Sequence, residues 1–236
     1  MIRLDNYLVE KGLVQSRTKA QTIIKDKLVS VNDKSVTKSS FIVQESDVVK
    51  VMQHKSFVSR SAHKLDEFLN ELSLDISGYV ALDIGSSTGG FTQVLLERGV
   101  KEVSSVDVGK NQLHSSIKND PRVFSYESCD IRKFNSDKDF DIVTSDVSFI
   151  SLHNILDDVD RLGKKIIILL FKPQFEVGRE AKRDKNGVVL DKKAIQRAML
   201  KFEDSCRLKG WNLILKSPSK LTGKEGNLEY CYCYEK

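Results

Sequence analysis

Ala81-Leu82-Asp83-Ile84-Gly85-Ser86-Ser87-Thr88-Gly89-Gly90-Phe91-Thr92 is the stretch whose reading decides the fold. An apolar run over 79–84 carries an acid at its end, passes through a Gly-rich turn and enters a pattern with helical spacing. A doubly wound α/β sheet opens a nucleotide-type site in this way, at the carboxyl end of its first strand. The glycines predict a close approach of backbone to ligand, because no Cβ intervenes. Gly85, Gly89 and Gly90 are not spaced as G-x-G-x-x-G, which argues against a pyrophosphate seated on the helix N-terminus. An acid ahead of such a turn suits a ligand with a positive centre, such as the sulfonium of S-adenosylmethionine. An ordinary tight strand-to-helix turn is the alternative.

Outward from that turn the chain alternates. Strand-like runs cover 79–84, 102–107, 123–125, 140–145, 165–171, 211–216 and 228–234, and helical patterns cover 61–72, 88–98, 152–162 and 192–209. The alternation predicts an α/β domain with a Rossmann-like, mostly parallel sheet and helices on both faces. The last two strands are separated by a short loop, which predicts an antiparallel hairpin at one edge.

Acids recur at the ends of successive strands: Asp83, Asp107, Asp130 and Asp146. In an open α/β sheet those ends line one crevice. Asp107 stands where an acid would grip ribose hydroxyls, and Asp130 where one would accept from an adenine amino group. Turns favour Asp in any case, so each acid also has that plainer reading. Lys172 ends the apolar run 166–171, and Pro173 fixes the chain just after it. Beside Asp146 on a neighbouring strand, Lys172 becomes a candidate acid–base element; alone it reads as readily as a solvated cap.

The first fifty residues differ in character. Leu4, Tyr7, Leu8 and Val9 fit one helical face; after a break at Gly12, Ser16 is a plausible N-cap for a second helix. Ala20, Ile23 and Ile24 form its apolar face, and Arg17, Lys19, Lys25 and Lys27 a basic one. Short alternating segments follow at 28–31, 41–43 and 48–51, with a turn at Asn32-Asp33-Lys34. The expected organisation is a small α+β unit over residues 1–51, with a small hairpin sheet, a linker over 52–58 and a larger domain over 59–236.

The chain has 236 residues and 40% hydrophobic content, enough for a real core. Lys and Arg number 38 against 33 acids, a formal net charge of +5, which permits a polyanionic partner without demanding one. Cys129, Cys206, Cys231 and Cys233 form no C-x-x-C pair and have no His at metal spacing, so free thiols and no metal are expected. The charged start lacks a signal-peptide pattern, and the longest apolar run is too short to span a bilayer. A soluble, cytoplasmic protein with no membrane partner is the expectation.

Five segments together resemble one family: Ser59-Arg60-Ser61-Ala62-His63-Lys64-Leu65, the turn from Asp83 to Thr92, Asp107-Val108-Gly109-Lys110-Asn111-Gln112-Leu113, Ser145-Asp146-Val147-Ser148-Phe149-Ile150-Ser151 and Phe171-Lys172-Pro173-Gln174-Phe175-Glu176-Val177-Gly178. They are similar to the TlyA-type proteins, FtsJ-like ribosomal RNA 2′-O-methyltransferases with an N-terminal RNA-binding domain like that of ribosomal protein S-four. Arg3-Leu4-Asp5, Ser16-Arg17, Ala20 and Val29-Ser30-Val31-Asn32 carry the likeness to that small domain. Many members have Gly-Gly where this chain has Ser61-Ala62, a departure that bears on the local backbone and not on Lys64.

The resemblance implies S-adenosylmethionine as cofactor, bound by Asp83, Gly85, Ser86, Ser87, Thr88, Gly89, Gly90, Phe91, Asp107, Asp130 and Asp146. It implies a catalytic set of Lys64, Asp146, Lys172 and Glu229, acting on a cytidine ribose of ribosomal RNA. RNA contact is expected from Arg3, Arg17, Lys19, Lys25 and Arg60, and should weaken steeply with salt. Lys172 is the candidate to orient and deprotonate the 2′-hydroxyl. Burial and a neighbouring cation favour a lysine acting as base and two nearby acids oppose it, so a purely orienting role stands beside it. Rival readings are an RNA-binding assembly factor without methyl transfer, a small-molecule methyltransferase and a haemolysin. The intact charged set argues against the first, the basic N-terminal unit against the second, and the lack of an insertable segment against the third.

Overall fold

Apolar spacing in the first fifty residues folds as a helix pair over short strands. The structure, a computed structural model, describes residues 2–25, 28–51 and 57–236. The chain divides into two compact units, residues 1–56 and 57–236. The first contains β1 (Ile2–Arg3), α1 (Leu4–Glu10), α2 (Arg17–Lys25), β2 (Val29–Val31), β3 (Lys34–Ser35), β4 (Ile42–Val43) and β5 (Val49–Val51). Leu4 and Leu8 on α1 pack with Ala20, Ile23 and Ile24 on α2 and with Val29, Val31 and Val43. Ser16 caps α2, accepting the Lys19 N–H at 3.2 Å.

In place of one hairpin sheet this unit has two. β1 pairs antiparallel with β4, and β2 lies between β3 and β5. Asn32 and Asp33 both adopt left-handed φ, 50° and 61°, so the turn needs only two residues and Lys34 already belongs to a strand. Lys27 and linker residues 52–56 lie outside the described residues. Phe57 and Val58, expected as the end of the linker, pack instead on the core of the second unit, and Val58 N donates to Gln93 Oε1 at 2.8 Å.

The second unit runs α3 (Arg60–Leu72), β6 (Val80–Ile84), α4 (Gly90–Glu97), β7 (Glu102–Val106), α5 (Ser115–Lys118), β8 (Val123–Tyr126), β9 (Phe140–Ser145), α6 (Leu156–Leu162), β10 (Gly163–Phe171), α7 (Pro173–Glu176), α8 (Lys192–Leu208), β11 (Asn212–Pro218) and β12 (Tyr230–Glu235). Seven strands form one sheet in the order β11-β12-β10-β9-β6-β7-β8. All neighbours from β10 to β8 are parallel, and β12 runs antiparallel to both β10 and β11. The predicted antiparallel edge pair is present, with β11 as the edge strand.

Consecutive residues of the central strands face opposite layers, and both layers are apolar. Ala81, Val103, Ile142, Ile168 and Leu170 pack under α3 and α4. Leu82, Val106, Val143, Ile167, Leu169 and Phe171 pack under α6 and α8. Burial on both faces explains why these strands read as continuous apolar runs. α4 starts at Gly90, later than its pattern suggested, because Gly89 at φ 92° breaks the helical path. The pattern over 152–162 splits into a 3-10 turn, Leu152–Asn154, and α6. Cys231 and Cys233 are buried free thiols pushed up to about 12 by burial. Among the described residues no group of side chains is arranged to hold a metal ion, and no helix is long and apolar enough to cross a membrane.

Candidate active site

The carboxyl ends of β6, β7 and β9 open onto two cavities. The first, of about 580 Å³, is lined by Gly85, Ser87, Asp107, Asp130 and Asp146 among others. The second, of about 790 Å³, is lined by Lys64, Asp146, Lys172 and Glu229, with Arg60 and Arg183 also facing it. Gly85, Ser87, Asp146, Ser148 and Phe149 line both, so the cavities meet along the loop that follows β9.

The four residues of the predicted catalytic set share the second cavity as two ion pairs. Lys64, on the first turns of α3, places Nζ 2.5 Å from Glu229 Oε2. Lys172, the residue between β10 and α7, places Nζ 2.7 Å from Asp146 Oδ1. That oxygen lies off the axis of a hydrogen bond, so the contact is ionic, while the ammonium donates to Ser148 Oγ at 2.8 Å and to the Asp146 carbonyl at 3.3 Å. Lys64, Lys172 and Glu229 are each less than a tenth exposed. Removing such groups from water is costly unless each has a partner, and the pairing supplies one for each. Pro173 at the first position of α7 suits the helix start and fixes the turn that aims Lys172.

In the first cavity Asp107 accepts the Ser87 N–H at 2.8 Å and the Gly109 N–H at 2.6 Å. The carboxylate thus ties the Gly-rich turn to the segment after β7 while facing the cavity. Asp130 caps a 3-10 turn and is gripped by Arg132, which holds its carboxyl down at about 2. Both its oxygens are engaged by that guanidinium, so an adenine amino group would share an acceptor already in use.

Two expectations for the Gly-rich stretch need correction. Asp83 lines neither cavity: it is fully buried on the α4 side of the sheet, accepting from Thr92 Oγ1 at 2.6 Å and Thr144 Oγ1 at 3.1 Å. Burial raises its carboxyl to about 7, against the lowering effect of those hydroxyls. Through Thr92 it anchors the start of α4. Gly89 and Gly90 also make room for protein rather than ligand. A Cβ at Gly89, where φ is 92°, would come within 2.8 Å of Leu113, and one at Gly90 within 2.0 Å of Ser59 Oγ. Ser86, Thr88 and Phe91 line the second cavity, where Phe91 is nearly fully buried. Ser61 and Ala62, which depart from Gly-Gly, sit in the first turn of α3 against Gly90, so small side chains fit there because the glycine faces them.

Several residues of the site carried no separate signal. Ser148 and Gln174 support the ion pairs, with Gln174 Nε2 3.3 Å from Glu229 Oε1. Phe149 is 92% exposed, holds φ at 65° and lies with its ring centre 5.4 Å from that of Phe175. A left-handed φ is strained for a bulky side chain. Glu176, whose carboxyl burial raises, accepts from Ser151 Oγ at 2.6 Å and Leu152 N at 2.7 Å, tying the Phe149 loop to α7. Ser148 and Phe149 lay inside a quoted motif, but nothing in their types announced the geometry.

Of the expected RNA-contacting residues, Arg60 lies at the second cavity, exposed, with Nη2 3.3 Å from the Thr222 carbonyl. Arg17, Lys19 and Lys25 are exposed on α2 of the first unit, and Arg3 is partly exposed. Arg3 and Arg17 both pair with Asp5.

A seven-stranded sheet with its last strand slotted antiparallel between two others is the sheet of Rossmann-like methyltransferases. The chain belongs to the FtsJ-like methyltransferase family, which matches residues 57–236, and an S4 domain matches residues 2–49. It is 44% identical over 98% of both chains to the 23S rRNA (cytidine-2′-O)-methyltransferase TlyA of Campylobacter jejuni. It is 36% identical to the 16S/23S rRNA (cytidine-2′-O)-methyltransferase TlyA of Mycobacterium tuberculosis, over 97% of this chain and 87% of that one. A solved structure from Lactococcus lactis, provisionally named a hemolysin, superposes with a TM-score of 0.73 at 37% identity, covering 77% of this chain and 89% of that one.

Proposed function

We propose that this methyltransferase moves a methyl group from S-adenosylmethionine to the 2′-hydroxyl of a cytidine in ribosomal RNA. One observation carries the reading: two cavities meet at Asp146, one suited to a nucleoside and the other lined by two lysine–carboxylate pairs. The names of the Campylobacter and Mycobacterium relatives support the substrate and the position of transfer. Residues 1–51 act as the RNA-binding domain, and residues 57–236, with Phe57 and Val58 packed on their core, do the chemistry. Ribosomal RNA and its subunits are then the partners, and the cytoplasm the place of work.

The first cavity fits the donor. Its volume is in the range of ligand sites, Asp107 presents a fixed carboxylate for ribose hydroxyls, and Gly85 offers backbone without a side chain. S-adenosylmethionine, when bound, supplies an electrophilic methyl on a sulfonium. Ser87, Asp107 and Asp130 hold the nucleoside; Asp83, Gly89 and Gly90 support the turn from behind.

A ribose hydroxyl is a poor nucleophile at neutral pH, so the protein must align it and deal with its proton. Lys172 Nζ, fixed by Asp146 and Ser148, is the group placed to orient the hydroxyl and take or share that proton. Lys64 and Glu229 hold each other rigid in the same cavity and steady the hydroxyl. Alignment of this kind contributes roughly 7 kcal/mol or more in favourable cases. Phe149 offers an exposed aromatic face at the junction of the cavities, suited to stacking on an unpaired base. Arg60 and Arg183 add positive charge where RNA phosphates would lie.

The test is a map of ribose methylation on ribosomal RNA from cells with and without this protein. The expected result is loss of 2′-O-methyl at one or a few cytidines, restored by the intact gene. Identical maps would contradict the proposal.

A further inference from the structure

Asp5 has no exposed surface, yet polar groups crowd it. Arg3 approaches it through both Nε and Nη2 at 3.1 Å, Arg17 through Nε at 3.0 Å, and Gln21 through Nε2 at 3.2 Å. Three side chains from two elements thus converge on one carboxylate. It joins a residue just before α1 to two residues of α2.

Arg3 spends one edge of its guanidinium on Asp5 and Arg17 only its Nε–H. Their side chains are 40% and 56% exposed. Arg3 Nη1 and both Nη groups of Arg17 have no protein hydrogen-bond partner among the described residues. A free surface arginine must surrender rotamer freedom when it grips a ligand, and one already fixed by a carboxylate has little left to lose. Two planar forks with donors facing solvent match the oxygens of a phosphate. Arg3, followed by Gln21 and Arg17, holds the Asp5 carboxyl far below the ordinary range, against the opposing effect of burial, so it stays charged.

We propose that Asp5 is a positioning residue that holds Arg3 and Arg17 as a two-pronged clamp for the phosphate backbone of RNA. Lys19 and Lys25 are also exposed on α2 and add positive charge to the unit. The inference rests on the reading that the first unit binds RNA, and it runs against simple electrostatics. Deleting a negative charge from a basic surface ought to tighten RNA binding. If Asp5 works by positioning, deleting its charge loosens binding instead.

The experiment measures binding of the full chain to a 23S rRNA transcript across a salt series. It compares the wild type with Asp5→Asn, with Arg3→Gln/Arg17→Gln, and with all three changes together; S-adenosylmethionine affinity monitors the rest of the chain. Asp5→Asn is expected to weaken RNA binding about tenfold, the scale of a lost charge-assisted hydrogen bond. It is also expected to lower the salt slope by about 1.5, as two lost phosphate contacts would. With both arginines already replaced, Asp5→Asn should change affinity less than about twofold, because its effect passes through them. Unchanged or tighter binding by Asp5→Asn would overturn the inference while leaving RNA binding by the first unit in place. An equal further loss in the arginine-free background would also overturn it, marking Asp5 as a residue the fold needs generally. Wild-type affinity and salt slope in Arg3→Gln/Arg17→Gln would reject the clamp together with the RNA-contact reading of those arginines.

Discussion

Lys64 and Glu229 are 165 residues apart in the chain, and their charged groups are 2.5 Å apart beneath the second cavity. Both are almost wholly buried. Breaking a buried pair leaves one charge without a partner, at a cost of about 3 kcal/mol or more, whereas replacing both by apolar groups is often neutral. Lys64→Met should therefore lose stability on that scale in urea unfolding. Lys64→Met/Glu229→Met should regain most of it without regaining methyl transfer. Wild-type stability in the single variant would show that the pair is not buried as described.

Asp107 makes a different contribution, because its carboxylate ties two backbone turns while facing the first cavity. Asp107→Ala should lower S-adenosylmethionine affinity about tenfold by calorimetry, the worth of a hydrogen bond to a charged acceptor. At saturating donor its turnover should fall far less than that of Lys172→Ala. Unchanged affinity would remove Asp107 from the donor site.

The buried Asp83 predicts a pH dependence of stability. Its folded carboxyl titrates at about 7, against 3.8 for the ordinary group. Between those values the native state keeps a proton that the unfolded chain has released, so this contribution to stability falls as pH rises from about 4 to about 7 and is level above. The full swing is about 4 kcal/mol. Asp83→Asn, which stays neutral, should gain on the wild type over that window. Parallel pH–stability curves would mean that Asp83 is charged inside the fold.

Phe149 combines left-handed backbone with nearly complete exposure. Strain of about 1–3 kcal/mol at such a position persists when it serves a purpose. Phe149→Gly should relieve the strain, leaving the melting temperature no lower than that of the wild type, while transfer to RNA falls about 10²-fold through misplacement of the acceptor. Full activity in the glycine variant would make the ring dispensable.

The sequence disclosed much of this site because its chemistry sits at strand ends. Lys172 breaks an apolar run, Asp146 closes another, and the strands carrying them are neighbours, so their meeting followed from the alternation. Bringing in Lys64 and Glu229 took the family resemblance, since no local pattern joins α3 to the loop before β12. The burial of Asp83 away from both cavities was not legible, because an acid at a strand end points to one face or the other by the two-residue period. Here its partners Thr92 and Thr144 lie on the α4 side, where Thr92 also meets Ser105. Phe149 had no signal, because a left-handed phenylalanine is set by the tie from Glu176 to Ser151 and not by local preference. β1 and β3 were missed for want of length: two residues cannot show a period.

The most direct measurement is methyl transfer by Lys172→Ala, using S-adenosylmethionine with a labelled methyl group and ribosomal subunits that lack the modification, alongside donor affinity of the same variant. The account predicts that transfer falls to background while donor affinity stays within about threefold of the wild type, as expected when only the acceptor's positioning group is lost. Near-normal turnover would contradict it.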